Sequence, residues 1–150
     1  MLQVHEARFE HIPEMCSLLA ELFRLEKDFM EINHTDKQKA GLEMIINQPE
    51  SGQLLLLLKD EHVIGMVNLL YTISTAEGGR VIILEDYILS ELERGKGYGS
   101  FFMQEIIAFA RDKGMLRITL LVDADNSAAQ RFYESAEFNF SNMKCMRLNL

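Results

Sequence analysis

The segment VIILEDYILSELERGKGYGSFFMQEIIAFARDK, Val81 to Lys113, passes from one structural period to another. Val81 to Leu89 is rich in branched apolar residues and reads as a strand, interrupted by the adjacent carboxylates Glu85 and Asp86. Arg94-Gly95-Lys96-Gly97-Tyr98-Gly99 follows as a basic, glycine-rich turn. Beyond it Met103, Ile106, Ile107 and Ala110 fall at helical spacing. A strand, a glycine turn and a helix in this order can hold phosphate. Glycine lets backbone N–H groups approach an anion, and the helix N-terminus adds unpaired donors and partial positive charge.

The rest of the 150-residue chain frames this centre. Its length suits one domain with its own core. Apolar residues at 48% and charged residues at 25% are ordinary for a globular protein, and two prolines leave little room for a long linker. A net charge of −8 opposes general nucleic-acid binding and suits a cationic substrate or simple solubility. Cys16 and Cys145 stand far apart among apolar residues, the Met1 end lacks a targeting pattern, and Leu54 to Leu58 is too short to cross a bilayer. The expectation is a reduced, cytoplasmic protein away from membranes. His5, His11, His34 and His62 show no metal-ligand spacing, so no metal is expected.

Upstream, Gln3 to Ala7 reads as a strand. Ile12, Met15, Cys16, Leu19, Leu22 and Phe23 form the apolar stripe of a helix with Pro13 in its first turn and its end near Phe29. Thr35 to Asn47 is a second helix, with Leu42, Ile45 and Ile46 inward. Gln53 to Lys59 and Val63 to Ser74 are strands of a hairpin turning at Asp60-Glu61-His62. Downstream, Met115 to Val122 is a strand, Asn126 caps a helix burying Ala129, Phe132, Tyr133 and Ala136, and Phe138 to Phe140 with Met143 to Leu150 suggests a hairpin. The order is βααβββαβαββ, a mixed sheet flanked by helices, α/β or α+β in class.

The glycine turn does not have P-loop spacing. Gly95 and Gly97 begin a dinucleotide fingerprint and Asp123 stands at the distance of a ribose-binding acid, but Ser100 occupies the third glycine position. The chain after the turn is also too short for a doubly wound sheet. The turn does meet [QR]-x-x-G-x-[GA] through Arg94, Gly97 and Gly99, and Asn126 to Tyr133 reads N-x-x-A-x-x-F-Y one strand later. Together these resemble the two signatures of the GCN5-related N-acetyltransferase (GNAT) family, and the element order extends the likeness over nearly the whole chain. Leu84 to Leu89 is similar to the corresponding strand of diamine and polyamine acetyltransferases. One departure stands out. The family's usual glycine after the last helix is replaced here by Glu137. A left-handed Glu would cost about 1 kcal/mol, so a turn of another shape is expected, with consequences for the C-terminal hairpin.

The resemblance implies acetyl-CoA as cosubstrate, with no metal, and transfer of its acetyl group to a primary amine. The backbone of Gly95, Lys96, Gly97, Tyr98, Gly99 and Ser100 would wrap the pyrophosphate, with Arg94 beside it. Tyr87, Ile88 and Leu89 would pair with the pantetheine arm like a strand. Glu85 is implied as the base and Tyr133 as the acid for the leaving thiolate, with Asn126 a helix cap or a CoA contact. Strand alternation places Glu85 with Val81, Ile83, Tyr87 and Leu89, and Asp86 on the opposite face, so the two carboxylates would not share one task. The acidic residues Glu26, Asp28 and Glu31 border the acceptor side in such a fold. A small cationic amine is favoured as acceptor; a protein acceptor stays open, as does a homodimer. The reading from another class is a non-catalytic acyl-CoA-binding or regulatory module that keeps the fold.

Overall fold

The computed structural model describes residues 1–25 and 35–150. The expected end of the first helix near Phe29, the acidic residues Glu26, Asp28 and Glu31, and His34 lie outside the described residues. Two units are formed, Met1–Leu120 and Leu121–Leu150.

The first unit is built on a sheet in the order β1-β2-β3-β4-β5. Its strands are β1 (Leu2–Glu6), β2 (Gly52–Lys59), β3 (His62–Ser74), β4 (Gly79–Leu89) and β5 (Ile118–Leu120). Neighbours from β1 to β4 run antiparallel, whereas β4 and β5 are parallel and joined through a helix. Asp60 and Glu61 take left-handed φ values of 48° and 71°, the geometry of a two-residue hairpin whose twist matches its strands.

Leu54 to Leu58 are all buried, as a strand covered on both faces requires. Leu54, Leu56 and Leu58 point to one face with Met66 and Ile88. Helix α1 (Ile12–Leu25) covers that face through Ile12, Met15, Leu18 and Leu19, and α2 (Thr35–Asn47) through Leu42. Cys16, Leu22, Phe23, Ile45 and Ile46 pack at the cluster's margin, half-buried. Helix α3 (Tyr98–Asp112) buries Phe102, Met103, Ile106 and Ala110. Tyr87 stacks on Phe102 with ring centroids 5.6 Å apart, which puts α3 on the other face. Ile107, expected in this stripe, is only half-buried.

One irregularity reorganises β4. Met66 pairs with Ile88 and Asn68 with Glu85, so β4 carries one more residue than β3 between these pairs. Asp86 takes the strain, with φ at 54°. This is a β-bulge, and it resets the alternation. Directly paired residues share a face, so Glu85 lies on the α1–α2 side with Asn68, and Ile88 follows on that same side with Met66. Tyr87 and Leu89 pass to the α3 side. The expectation that Glu85 shares a face with Tyr87 and Leu89 is therefore corrected: strict period two fails at Asp86.

In the second unit, α4 (Ser127–Ser135) starts at Asn126, whose Oδ1 accepts from the Ala129 N–H at 3.1 Å. Ala129, Phe132, Tyr133 and Ala136 share one face, as the periodicity predicts, but they are half-buried where burial was expected. Its end overturns the expected turn. Glu137 is left-handed, with φ at 73°. Phe138 N–H reaches the Tyr133 carbonyl and Glu137 N–H the Glu134 carbonyl, both at 3.0 Å. That bonding pattern is a Schellman cap. The Phe138 and Tyr133 rings, 5.8 Å apart, supply its apolar contact. The cap's hydrogen bonds and ring contact together outweigh the strain on Glu137.

The C-terminal hairpin is a second correction. Phe138 to Leu150 contains no strand. Phe140, Met143, Met146, Leu148 and Leu150 are exposed. Alternating apolar residues specify a strand only when another strand accepts their ladder, and none among the described residues does.

Glu137→Gly should relieve the left-handed strain and stabilise the cap by about 1 kcal/mol. Amide exchange at Phe138 should then slow severalfold; unchanged or faster exchange would contradict this account of the cap.

Candidate active site

The site grows from the bulge. Aspartate is among the few non-glycine residues that tolerate left-handed backbone, and at position 86 it turns its carboxylate toward Asn68 and Glu85. Asn68 sits mid-strand in β3, 5% exposed, and is the buried polar residue of the described core. Its amide hydrogen-bonds to the Asp86 carboxylate, while its Oδ1 finds no partner among the described residues. A buried carbonyl left in that state costs about 1–3 kcal/mol.

Glu85, directly paired with Asn68, is exposed. Asp86 lies deeper, and its pKa rises to about 6. Burial is the main cause, the neighbouring Glu85 charge adds to it, and the Asn68 hydrogen bond opposes both. The two carboxylates expected on opposite faces are thus coupled. A carboxylate titrating near 6 can take a proton at neutral pH.

Beyond the bulge, β4 runs on to Leu89, but its parallel ladder with β5 ends at Leu84 and Leu120. Ile88 and Leu89 pair with β3, and among the described residues the β5 ladder does not reach Tyr87, Ile88 or Leu89, as a place for a strand-like ligand requires. The short 3₁₀ turn Glu91–Glu93 leads into the glycine segment. Gly95 and Gly97 have φ values of 75° and 82°. A Cβ at either position would meet nothing within 4 Å, so glycine answers the backbone's need and not a crowded neighbour. Gly97 is the N-cap of α3 and offers no side chain to the first-turn N–H groups. Those donors are what an anion would meet.

Strand end and glycine turn are tied together. The Tyr87 hydroxyl donates to the Gly99 carbonyl at 2.7 Å, and Arg94 Nε donates to the Leu89 carbonyl at 2.9 Å. Arg94 also lies 4.0 Å from Glu21, so its guanidinium serves the fold. Glu93 gathers Lys59 at 3.1 Å and Lys96 at 3.3 Å. These lysine contacts hold the Glu93 carboxyl below its usual range, with the Lys59 hydrogen bond the larger cause. The charge beside the turn is thus partly neutralised from within, and the backbone donors become its main resource. Lys59 also lies over the Tyr98 ring, 5.4 Å from the centroid.

Asn126 and Tyr133 belong to the second unit. Asn126 is the helix cap that the sequence implied. Tyr133 packs edge-on against Phe132, with centroids 5.4 Å apart, and against Phe138.

Asn68 escaped the sequence reading. Its signal was one amide inside the apolar run from Val63 to Leu70. A groove of about 600 Å³ between α1 and α2, lined by Phe9, Ile12, Pro13, Cys16 and Lys39 among others, includes no residue of β4 or the glycine turn. Burial raises the Cys16 thiol there, which disfavours the nucleophilic thiolate. Among the described residues no cluster of three His, Cys, Asp or Glu could hold a metal, and no helix is long and apolar enough to cross a membrane.

Residues 16–138 match the model of the acetyltransferase (GNAT) family. The chain belongs to that family. Solved structures agree in fold. A possible acetyltransferase from Clostridium difficile 630 superposes with a TM-score of 0.88 at 15% identity, covering 100% of this chain and 98% of that one. A predicted acetyltransferase with acetyl-CoA from Clostridium acetobutylicum gives 0.78 at 13% identity, covering 99% and 96%. A transcriptional regulator from Bacillus halodurans C-125 gives 0.83 at 21%, with full coverage of both chains. At these identities the likeness shows the GNAT fold alone. No curated protein is matched at the same stringency. The diamine and polyamine subgroup has no support among these similarities.

The raised Asp86 pKa fixes the sign of a stability change. Folded Asp86 holds its proton up to about 6, whereas the unfolded side chain loses it near 4. Its stabilising contribution is complete below pH about 4 and is lost as pH rises through about 6. Asp86→Asn should therefore raise stability at pH 8 by about 2–3 kcal/mol, with the gain vanishing below about pH 4. Denaturant unfolding at the two pH values checks this, and a loss of stability at pH 8 would contradict it.

Proposed function

We propose that this GNAT protein transfers the acetyl group of acetyl-CoA to a primary amine, with a small cationic amine as the acceptor class. The observation that carries this reading is the bulged end of β4. It joins a half-buried carboxylate with a pKa of about 6 to a strand edge that β5 leaves unpaired, and Tyr87 ties that edge to the N-terminus of α3.

Acetyl-CoA is a substrate here, and each part has a counterpart in the chain. The N–H groups from Gly95 to Ser100 and the α3 dipole bind the pyrophosphate. The backbone of Tyr87, Ile88 and Leu89 pairs with the pantetheine amides. Arg94 acts indirectly, by fixing Leu89 against the turn.

The acceptor amine must lose a proton before its nitrogen lone pair can attack. Asp86 takes that proton, and exposed Glu85 passes it to solvent, so the base implied at Glu85 becomes a coupled pair. The amine nitrogen then bonds to the thioester carbonyl carbon. As the tetrahedral intermediate collapses, the carbon–sulfur bond breaks with its electrons going to sulfur. Tyr133, assigned by its place in the Asn126–Tyr133 segment, protonates the thiolate, and the second proton that the nitrogen sheds after attack returns through solvent to the tyrosinate. The products are an N-acetylated amine and CoA.

Thiol release from acetyl-CoA with an amine panel tests the proposal. Turnover should fall below pH about 6 as Asp86 takes up its proton. Asp86→Asn and Tyr133→Phe should each lower kcat by about 10²-fold or more, with acetyl-CoA binding kept. Binding of acetyl-CoA without turnover on any amine would instead support a non-catalytic acyl-CoA-binding module.

A further inference from the structure

The Asn68 oxygen is the feature that the acyl-transfer steps leave unused. Asn68 and Glu85 are directly opposite residues of an antiparallel pair, so their side chains start from one face as close neighbours. The bulge brings Asp86 to the same place, where the Asn68 amide donates to it. The amide nitrogen serves Asp86 as a donor that lowers its pKa against burial. The oxygen, in a residue 5% exposed, accepts nothing from the described residues.

The cluster therefore offers three acceptor groups: one amide oxygen and two carboxylates. Among the described groups acting on Asp86 there is no cation. A primary ammonium has three N–H donors and no acceptor, and it carries the charge that two carboxylates attract. An alcohol brings one donor and no charge, and a carboxylate would be repelled.

We propose that Asn68 Oδ1, with the Asp86 and Glu85 carboxylates, forms the seat for the acceptor's ammonium group. This rests on the acyl-transfer reading and adds to it how the acceptor is held. Asn68 is a positioning residue in this scheme. It holds the nitrogen while one N–H faces Asp86, which receives that proton before attack.

Butylamine, largely butylammonium at pH 7, is a minimal probe, with butanol as its uncharged counterpart. In ¹⁵N-labelled wild-type protein the Asn68 side-chain amide signal should shift with millimolar butylamine and stay still with butanol. With acetyl-CoA present, Asn68→Leu should raise KM for butylamine by about tenfold or more, with calorimetric acetyl-CoA binding unchanged. A motionless Asn68 signal, or wild-type turnover with an unchanged KM in Asn68→Leu, overturns the seat and leaves the acetyltransferase reading standing. A shifted signal without turnover on any amine supports the seat and overturns that reading. If Asn68→Leu does not fold, the wild-type spectra decide.

Discussion

The left-handed backbone at Asp86 is the constraint on which the site depends. Without it, β4 would alternate regularly. Tyr87 would then stay on the α1–α2 side with Glu85, away from Phe102 and Gly99. The bulge turns Tyr87 onto α3, where its ring stacks and its hydroxyl holds the first turn of the helix. The same bulge places Asp86 and Glu85 together beside Asn68. A left-handed non-glycine residue costs about 1–2 kcal/mol, and the half-buried, repelled carboxylate adds to that cost. The offset comes from the apolar strands around it, where each fully buried leucine contributes about 1.5–3 kcal/mol. A stable sheet therefore carries a locally strained and charged defect, as functional sites commonly do.

The glycine turn follows a complementary logic. Its basic side chains are largely occupied by Glu93, Glu21 and the Leu89 carbonyl, which shape the loop between β4 and α3. Recognition of a phosphate is left to backbone donors, whose positions are set by Gly95, Gly97 and the helix axis. Fixed dipoles do not have to be ordered when an anion arrives. The cost of arranging them is met during folding.

Much of this was legible in the sequence, because apolar period and glycine position report directly on local structure. The stripe in α1, the doubly buried run Leu54 to Leu58, the hairpin at Asp60 and the cap at Asn126 all follow from short-range rules. What escaped depended on partners distant in the chain. Nothing near Asp86 announces a bulge, since the extra residue is defined only against β3. Asn68 looks like one polar residue in a strand until its pairing with Glu85 is known. Glu137 misled for the opposite reason: its intrinsic preference opposed a left-handed turn, but two backbone hydrogen bonds and the Tyr133–Phe138 contact outweighed it. The C-terminal alternation through Met146, Leu148 and Leu150 met no strand to complete its ladder.

The central claim is that the bulge creates one half-buried carboxylate whose titration feels the Glu85 charge. The most direct measurement is a ¹³C titration of the Asp86 carboxyl by NMR in the wild-type chain and in Glu85→Gln. The account predicts a midpoint near 6 in the wild type that moves lower when the Glu85 charge is removed. A midpoint near 4 that is indifferent to Glu85→Gln would contradict it.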